Sequence, residues 1–147
     1  MTLKGYYSPT GFSVASEYAL KYTLSLAEKY KSRFYILHVI DASKDASGFY
    51  VPHFSYEKLE DEMKDAAQNI LKGFCAKNLR GIKDFVSTVE VGVPYKNIVK
   101  FTNKNEMDII VIGSFGKTGI DHIFFGSTTE SVLRKVSCPV LKVHPAE

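Results

Sequence analysis

The segment DIIVIGSFG (residues 108–116), followed by GSTTESVLRKV (residues 126–136), carries the clearest structural signal in the chain. The apolar run 109–112 has the length and composition of a buried strand, and the glycines begin where it stops. Glycine has no Cβ, so it permits tight turns and a close approach of ligand to backbone. Residues 130–136 have a helical pattern. A glycine-hydroxyl turn at a helix start attracts phosphate through free N–H groups and the helix dipole, and the sequence therefore predicts a phosphate site here.

Outward from this segment, strand and helix patterns alternate along the chain. Strands are predicted at 3–8, 33–40, 84–91, 109–112 and 139–143, and helices at 14–30, 55–80, 94–102 and 130–136. In the first helix, apolar residues recur every four positions from Val14 to Tyr30 with alanines beside them, which is typical of an amphipathic helix. Such alternation implies an α/β fold with a parallel sheet, helices on both faces and right-handed crossovers. We predict one domain over residues 1–147, with a surface loop at 42–54.

Composition limits the classes of function. The net charge of the 147-residue chain is +3, and its lysines alternate with acidic residues, so a nucleic-acid partner is not indicated. Cys75 and Cys138 lack metal-ligand spacing and are predicted to be small buried residues. We find neither a signal-peptide pattern nor a run long enough to span a membrane, which favours a cytoplasmic protein.

The spacing of the glycines resembles a known nucleotide-binding motif. Gly113, Gly116, Gly126 and Ser127 follow the pattern Gly, two residues, Gly, nine residues, Gly, then Ser or Thr. This pattern is that of the ATP-binding universal stress proteins, and the resemblance extends over essentially the whole chain. A P-loop is excluded because Val111 stands where that motif requires glycine.

The resemblance implies a Rossmann-like fold of the adenine nucleotide alpha hydrolase type, with a single five-stranded parallel sheet of strand order 3-2-1-4-5. It further implies ATP, or ADP or AMP, bound between strands 1 and 4, with Mg²⁺ or Mn²⁺ held by the phosphates. The predicted nucleotide-binding residues are Pro9, Thr10, Gly11, Val39, Ile112, Gly113, Gly116, Gly126, Ser127, Thr128 and Thr129. The last strand, residues 139–143, would join two copies into a homodimer, and the protein would act as a regulator in a stress response.

Within this set, each group has its own implied contact. Val39 would meet the adenine, the loop around Pro9 would line the adenosine, and Ile112 and Gly113 would lie against the ribose and first phosphate. The remaining glycines and hydroxyls would hold the phosphates. Three successive hydroxyls at a helix start also serve as ordinary caps.

One position departs from the family pattern. The family's ATP binders read Pro-x-Asp in the first loop, whereas residues 9–11 are Pro-Thr-Gly. A lost hydrogen bond costs roughly 0.5–1.5 kcal/mol, or up to about tenfold in affinity. The alternative hypothesis is therefore a nucleotide-independent, homodimeric interaction module on the same fold. No convincing general base or arginine finger accompanies the motif, so we do not expect an enzyme, although slow ATP hydrolysis stays open.

Overall fold

Five strands and four helices alternate in the computed structural model, which describes residues 6–7, 14–42, 53–113 and 127–145. In chain order they are β1 (Tyr6–Tyr7), α1 (Val14–Tyr30), β2 (Phe34–Asp41), α2 (His53–Asn78), β3 (Phe85–Gly92), α3 (Pro94–Lys104), β4 (Ile110–Gly113), α4 (Ser127–Lys135) and β5 (Val140–Val143). The predicted alternation of strand and helix is confirmed.

The strands form two hydrogen-bonded groups within the described residues, one in the order β1-β2-β3 and one in the order β4-β5. All pairings are parallel. The long pairing of β2 with β3 runs from Phe34 opposite Phe85 to Asp41 opposite Gly92. β1 also contacts β4. This contact favours the order 3-2-1-4-5, which remains a prediction because no described backbone pairing joins the two groups.

The helices are divided between the two faces of the sheet. On one face, α1 and α2 help to bury Ala19, Leu20, Phe34, Ile36, Ala67, Leu71, Phe74, Cys75, Leu79, Val89, Val111 and Val143. On the other, α3 and α4 help to bury Leu37, Val39, Ile98, Phe101, Met107, Ile110, Ile112 and Val132. Because parallel crossovers are right-handed, this change of face after β3 is what the predicted strand order 3-2-1-4-5 requires. Ligands of open α/β sheets bind where this direction reverses.

α1 packs with its small side chains inward. Ala15, Ala19 and Leu20 are buried, whereas Val14, Tyr22 and Tyr30 of the predicted four-residue repeat are exposed. The alanines lie against the sheet because a helix with short side chains can approach a strand closely. Tyr18 packs partly against the core, and its ring contacts that of the exposed Tyr22 in a tilted arrangement with 6.2 Å between the centroids.

Several predicted boundaries shift. α2 begins at His53, inside the segment 42–54 that was predicted as a loop. The residue before it in the sequence is Pro52, which has no backbone N–H to be paired and therefore suits a helix start. α4 begins at Ser127 rather than at residue 130, so the hydroxyl residues form its first turn. Residues 3–5 and 8 of the predicted first strand, and 43–52 of the predicted loop, lie outside the described residues.

Candidate functional site

The candidate site lies at the carboxyl ends of the strands, where α1 and β4 meet. Gly113 is the last residue of β4, and it lies against Ala15 in the first turn of α1. α1 follows β1 in the chain, and β4 contacts β1. Ala15, two residues after segment 8–13, and Gly113, directly before segment 114–126, are therefore neighbours in space. A ligand site between strands 1 and 4 stays a prediction, and this contact is the described feature that bears on it.

Gly113 is required by this packing. A Cβ added to it would lie 2.7 Å from the Ala15 carbonyl oxygen and 3.2 Å from the Ala15 Cβ. The crowded atoms belong to the backbone of α1, so no side-chain rotation can relieve the overlap. Glycine thus allows the start of α1 to approach the end of β4, whether or not a ligand is bound.

Val39 and Ile112 lie beneath the site, in the core. Each is 3% exposed, and both belong to the buried cluster on the α3–α4 face, together with Val132 of α4. Both side chains therefore contribute to the same buried cluster. Their predicted contacts with adenine and ribose remain predictions, since in this structure the side chains fill the core that supports the site.

The first turn of α4 presents its three hydroxyl residues differently. Ser127 is exposed, Thr128 is half-buried and Thr129 is buried, at 5% exposure. Successive helical residues point about 100° apart, so three neighbouring side chains cannot face one ligand together. Thr129 shares the inward side of α4 with Val132, three positions later. Ser127 and Thr128 are thus the hydroxyls best placed for a ligand at this terminus.

The electrostatics of this terminus favour an anion. The first four N–H groups of a helix have no partner within it, and the dipole adds partial positive charge. Glu130, the acidic residue of the first turn, is ion-paired through Oε1 with Arg134 Nη2 at 2.7 Å. This pairing across one turn draws the carboxylate along the helix, away from the terminus.

The turn after β3 contains a residue that the sequence analysis missed. Asn97 Nδ2 donates to Glu90 Oε2 at 2.9 Å and to the Val91 carbonyl oxygen at 3.4 Å. A Cβ on Gly92 would overlap the Asn97 amide. The sequence signal for this turn was Gly92 before Val-Pro at a strand end. That signal did not point to Asn97, which lies five positions further along the chain and occupies the space that a Cβ at position 92 would need.

Five predicted site residues, Pro9, Thr10, Gly11, Gly116 and Gly126, lie outside the described residues. In residues 6–7, 14–42, 53–113 and 127–145, no group of three or more His, Cys, Asp or Glu side chains is placed to hold a metal ion. The same ranges contain no helix with the length and apolar character that crossing a bilayer requires.

The two cysteines behave as small core residues. Both are free, with Cys75 buried and Cys138 partly buried. Burial raises the pKa of both thiols, which favours the neutral form over the reactive thiolate.

Comparison with known proteins gives a consistent result. The family model described as "Universal stress protein family" matches residues 8–144. Universal stress protein MJ0531 of Methanocaldococcus jannaschii is 34% identical over 142 residues, covering 92% of this chain and 78% of the relative. Universal stress protein MJ0577 of the same organism is 33% identical, covering 92% and 91%.

Solved structures share the fold. The MJ0577 structure matches with a TM-score of 0.78 at 32% identity, over 100% of this chain and 99% of the other. A universal stress protein in complex with cAMP matches with a TM-score of 0.70 at 21% identity, covering 98% of each chain. One from Arabidopsis thaliana with AMP bound matches with a TM-score of 0.59 at 14% identity, covering 98% and 92%. At such identities the last two matches show the fold alone.

Proposed function

The chain belongs to the universal stress protein family, and we propose that it is a regulatory member that binds ATP between strands 1 and 4. The observation that carries this proposal is the contact of Gly113 with Ala15, because it brings the end of the first loop, where α1 begins, against the start of the second loop, where β4 ends. Structural neighbours that bind cAMP and AMP support an adenine nucleotide as the ligand class.

The phosphates would lie at the start of α4. Backbone N–H groups of residues 127–130 and the hydroxyls of Ser127 and Thr128 would hold them, with Gly116 and Gly126 allowing close approach. Thr129 would contribute its backbone N–H, since its side chain is buried. Mg²⁺ or Mn²⁺ would be held by the phosphates themselves.

The nucleoside would extend from there towards β2. Val39 would border the adenine, while Ile112 and Gly113 would border the ribose. The loop of Pro9, Thr10 and Gly11 would line the adenosine from the other side.

We propose regulation rather than catalysis. The sequence supplies no convincing general base near the motif, and a bound nucleotide can act by shifting the population of loop conformations. Slow hydrolysis is compatible with this role. A cytoplasmic location is part of the proposal, supported by the free thiols of Cys75 and Cys138, which suit a reducing compartment.

The first test asks whether the purified protein carries a bound nucleotide. Protein purified under native conditions is denatured with acid, and the released small molecules are separated by chromatography. We expect an adenine nucleotide in a molar ratio approaching one per site. A preparation that never carries nucleotide, and that takes up none on incubation with millimolar ATP, would favour the interaction module.

Gly11→Asp is expected to tighten ATP binding by up to about tenfold, because the variant restores one polar contact to the adenosine. Calorimetric titration of the two proteins measures the change. Gly73→Asp on the outer side of α2 is the matched control for the added charge, and it should leave the affinity unchanged. A folded Gly11→Asp protein with unchanged affinity would mean that another residue already makes this contact.

The second candidate, a homodimeric interaction module, is favoured by Gly11 and by β5, which pairs with β4 alone among the described strands. The N–H of Ile110 donates to the Pro139 carbonyl oxygen at 3.0 Å, so Pro139 and Leu141 direct their backbone groups to β4. Val140 and Lys142 then direct theirs to the other side, where a second copy can pair.

Lys142→Pro is therefore expected to convert a dimer into a monomer while leaving the β4–β5 pairing in place. Proline at position 142 removes the N–H that points away from β4, so the hydrogen bonds between β4 and β5 are kept. Sedimentation equilibrium measures the mass, and Lys142→Ala controls for loss of the side chain. Dimers that persist in Lys142→Pro would exclude pairing through this strand.

A further inference from the structure

The β3 edge of the sheet is open in the part of the chain that the structure describes, where β3 pairs with β2 alone. The N–H of Ala42 donates to the Gly92 carbonyl oxygen at 3.0 Å, so Gly92 directs its backbone groups towards β2. Successive residues of a strand direct these groups to opposite sides. Ser87 and Val89 therefore direct their N–H and C=O groups to the open edge, where a further strand could pair with them.

The sequence of β3 does little to protect this edge. Natural edge strands are commonly blocked by lysine, proline or a bulge. β3 reads FVSTVEVG, and its single charged residue, Glu90, accepts a hydrogen bond from Asn97. Val86 and Ser87 are exposed. The middle of the strand thus combines β-branched residues with an exposed stretch at Val86 and Ser87, next to the buried Val89.

A groove of about 400 Å³ runs between this edge and α2. Leu71 contributes its apolar part, and residues 87–89 form the strand side. The α2 side is formed by Lys64, Gln68 and Lys72, which are exposed and spaced four residues apart. Among the described residues that line the groove there are two ammonium groups and no carboxylate.

We propose that this groove binds an extended acidic peptide segment of a partner protein, which pairs with β3 as an additional strand. Lys64 and Lys72 are eight residues apart, about 12 Å along the axis of α2. Two residues four apart on one side of a strand span about 13 Å. Acidic side chains at positions i and i+4 of the added strand therefore match both lysines, and main-chain hydrogen bonds to the exposed Ser87 contribute to the affinity.

Charge argues against a second copy of this chain in the groove. A two-fold axis between two β3 strands would place the same patch of each copy against the other. The lysines of both copies would then face each other across the new pair, and like charges opposed in this way are unfavourable. An acidic partner removes this repulsion and gains two ion pairs.

The test uses two labelled nine-residue peptides, built of threonine and valine, with either two glutamates or two lysines four positions apart. Fluorescence anisotropy measures their binding to the full chain. We expect the glutamate peptide to bind at least about tenfold more tightly than the lysine peptide. Lys64→Glu with Lys72→Glu should reverse this preference. The matched control, Lys100→Glu with Lys104→Glu on α3, changes the net charge by the same amount. This variant should keep the preference for the glutamate peptide.

The backbone contribution is tested by Ser87→Pro, which removes an N–H directed away from β2 and so spares the β2–β3 pairing. We expect this variant to lose peptide binding while circular dichroism and the unfolding transition stay near those of the wild type. The charge-reversal pair keeps the wild-type backbone and gives an independent readout should Ser87→Pro fold poorly. Three results would each overturn the proposal. The two peptides could bind equally well, or the charge reversal could leave their preference unchanged. The wild-type protein could also form a dimer that Ser87→Pro dissociates and Lys142→Pro does not.

Discussion

Gly113→Ala is expected to lower the free energy of unfolding of the nucleotide-free protein by about 1–3 kcal/mol, the usual cost of forcing a methyl group into a packed interior. The added carbon would lie 2.7 Å from the Ala15 carbonyl oxygen, and only a shift of α1 away from β4 can make room for it. For a chain of this size each kcal/mol corresponds to a fall of about 2–4 °C in melting temperature. Thermal unfolding followed by circular dichroism measures the effect.

The matched control is Gly73→Ala, which should raise the free energy of unfolding where Gly113→Ala lowers it. Gly73 lies inside α2, is exposed, and has no atom within 4 Å of an added Cβ. Alanine there is expected to raise stability by about 0.5–1 kcal/mol, because glycine is the poorer helix former. If Gly113→Ala were as stable as the wild type, the close contact of α1 with β4 would be wrong, and with it the position of the site.

Ser127→Asp is expected to weaken ATP binding by about tenfold to a hundredfold and, at the same time, to stabilise the nucleotide-free protein slightly. At an effective dielectric constant of 20, two like charges about 7 Å apart repel by about 2.4 kcal/mol. The same carboxylate in the first turn of α4 interacts favourably with the dipole, by about 0.3–1 kcal/mol. Calorimetry gives the affinity, and thermal unfolding gives the stability.

Two comparisons make this result specific to the phosphates. Adenosine, which carries no phosphate, should bind Ser127→Asp and wild-type protein equally. Ser137→Asp adds the same charge at an exposed position beyond the last residue of α4 and should leave ATP affinity unchanged. Equal loss of ATP and adenosine binding would mean that Ser127 does not lie beside the phosphates.

The sequence predicts much of the fold because its signals are local. The apolar run before Gly113 becomes β4, and Pro94 begins α3, as the patterns indicate. Alternation of strand and helix then implies a parallel sheet. The order of all five strands depends on the resemblance to a family, since no local pattern specifies which strands become neighbours.

The features that sequence reasoning missed are tertiary. Periodicity marked α1 as amphipathic, but only its contact with β4 shows that Ala15 and Ala19 face inward while Tyr22 lies outside. Gly113 was predicted for its value to a ligand, whereas the structure shows that packing against α1 already requires it. Three adjacent hydroxyls looked equivalent in sequence, yet helical geometry buries Thr129.

The two proposed sites are built from different parts of the chain. The nucleotide site depends on segments that meet at the carboxyl ends of β1 and β4, whereas the peptide groove depends on α2 and the edge of β3. A variant that no longer binds ATP should therefore still have the groove between α2 and β3. Loss of peptide binding in Ser87→Pro would leave the contact between Gly113 and α1 intact.

The most direct measurement of the central claim is a calorimetric titration of nucleotide-stripped protein with ATP and magnesium. The account predicts saturable binding with a micromolar dissociation constant and one nucleotide per chain, despite glycine at position 11. Absence of binding up to millimolar ATP would contradict it. The glycine motif would then serve only to let α1 pack against β4, and the chain would be an interaction module.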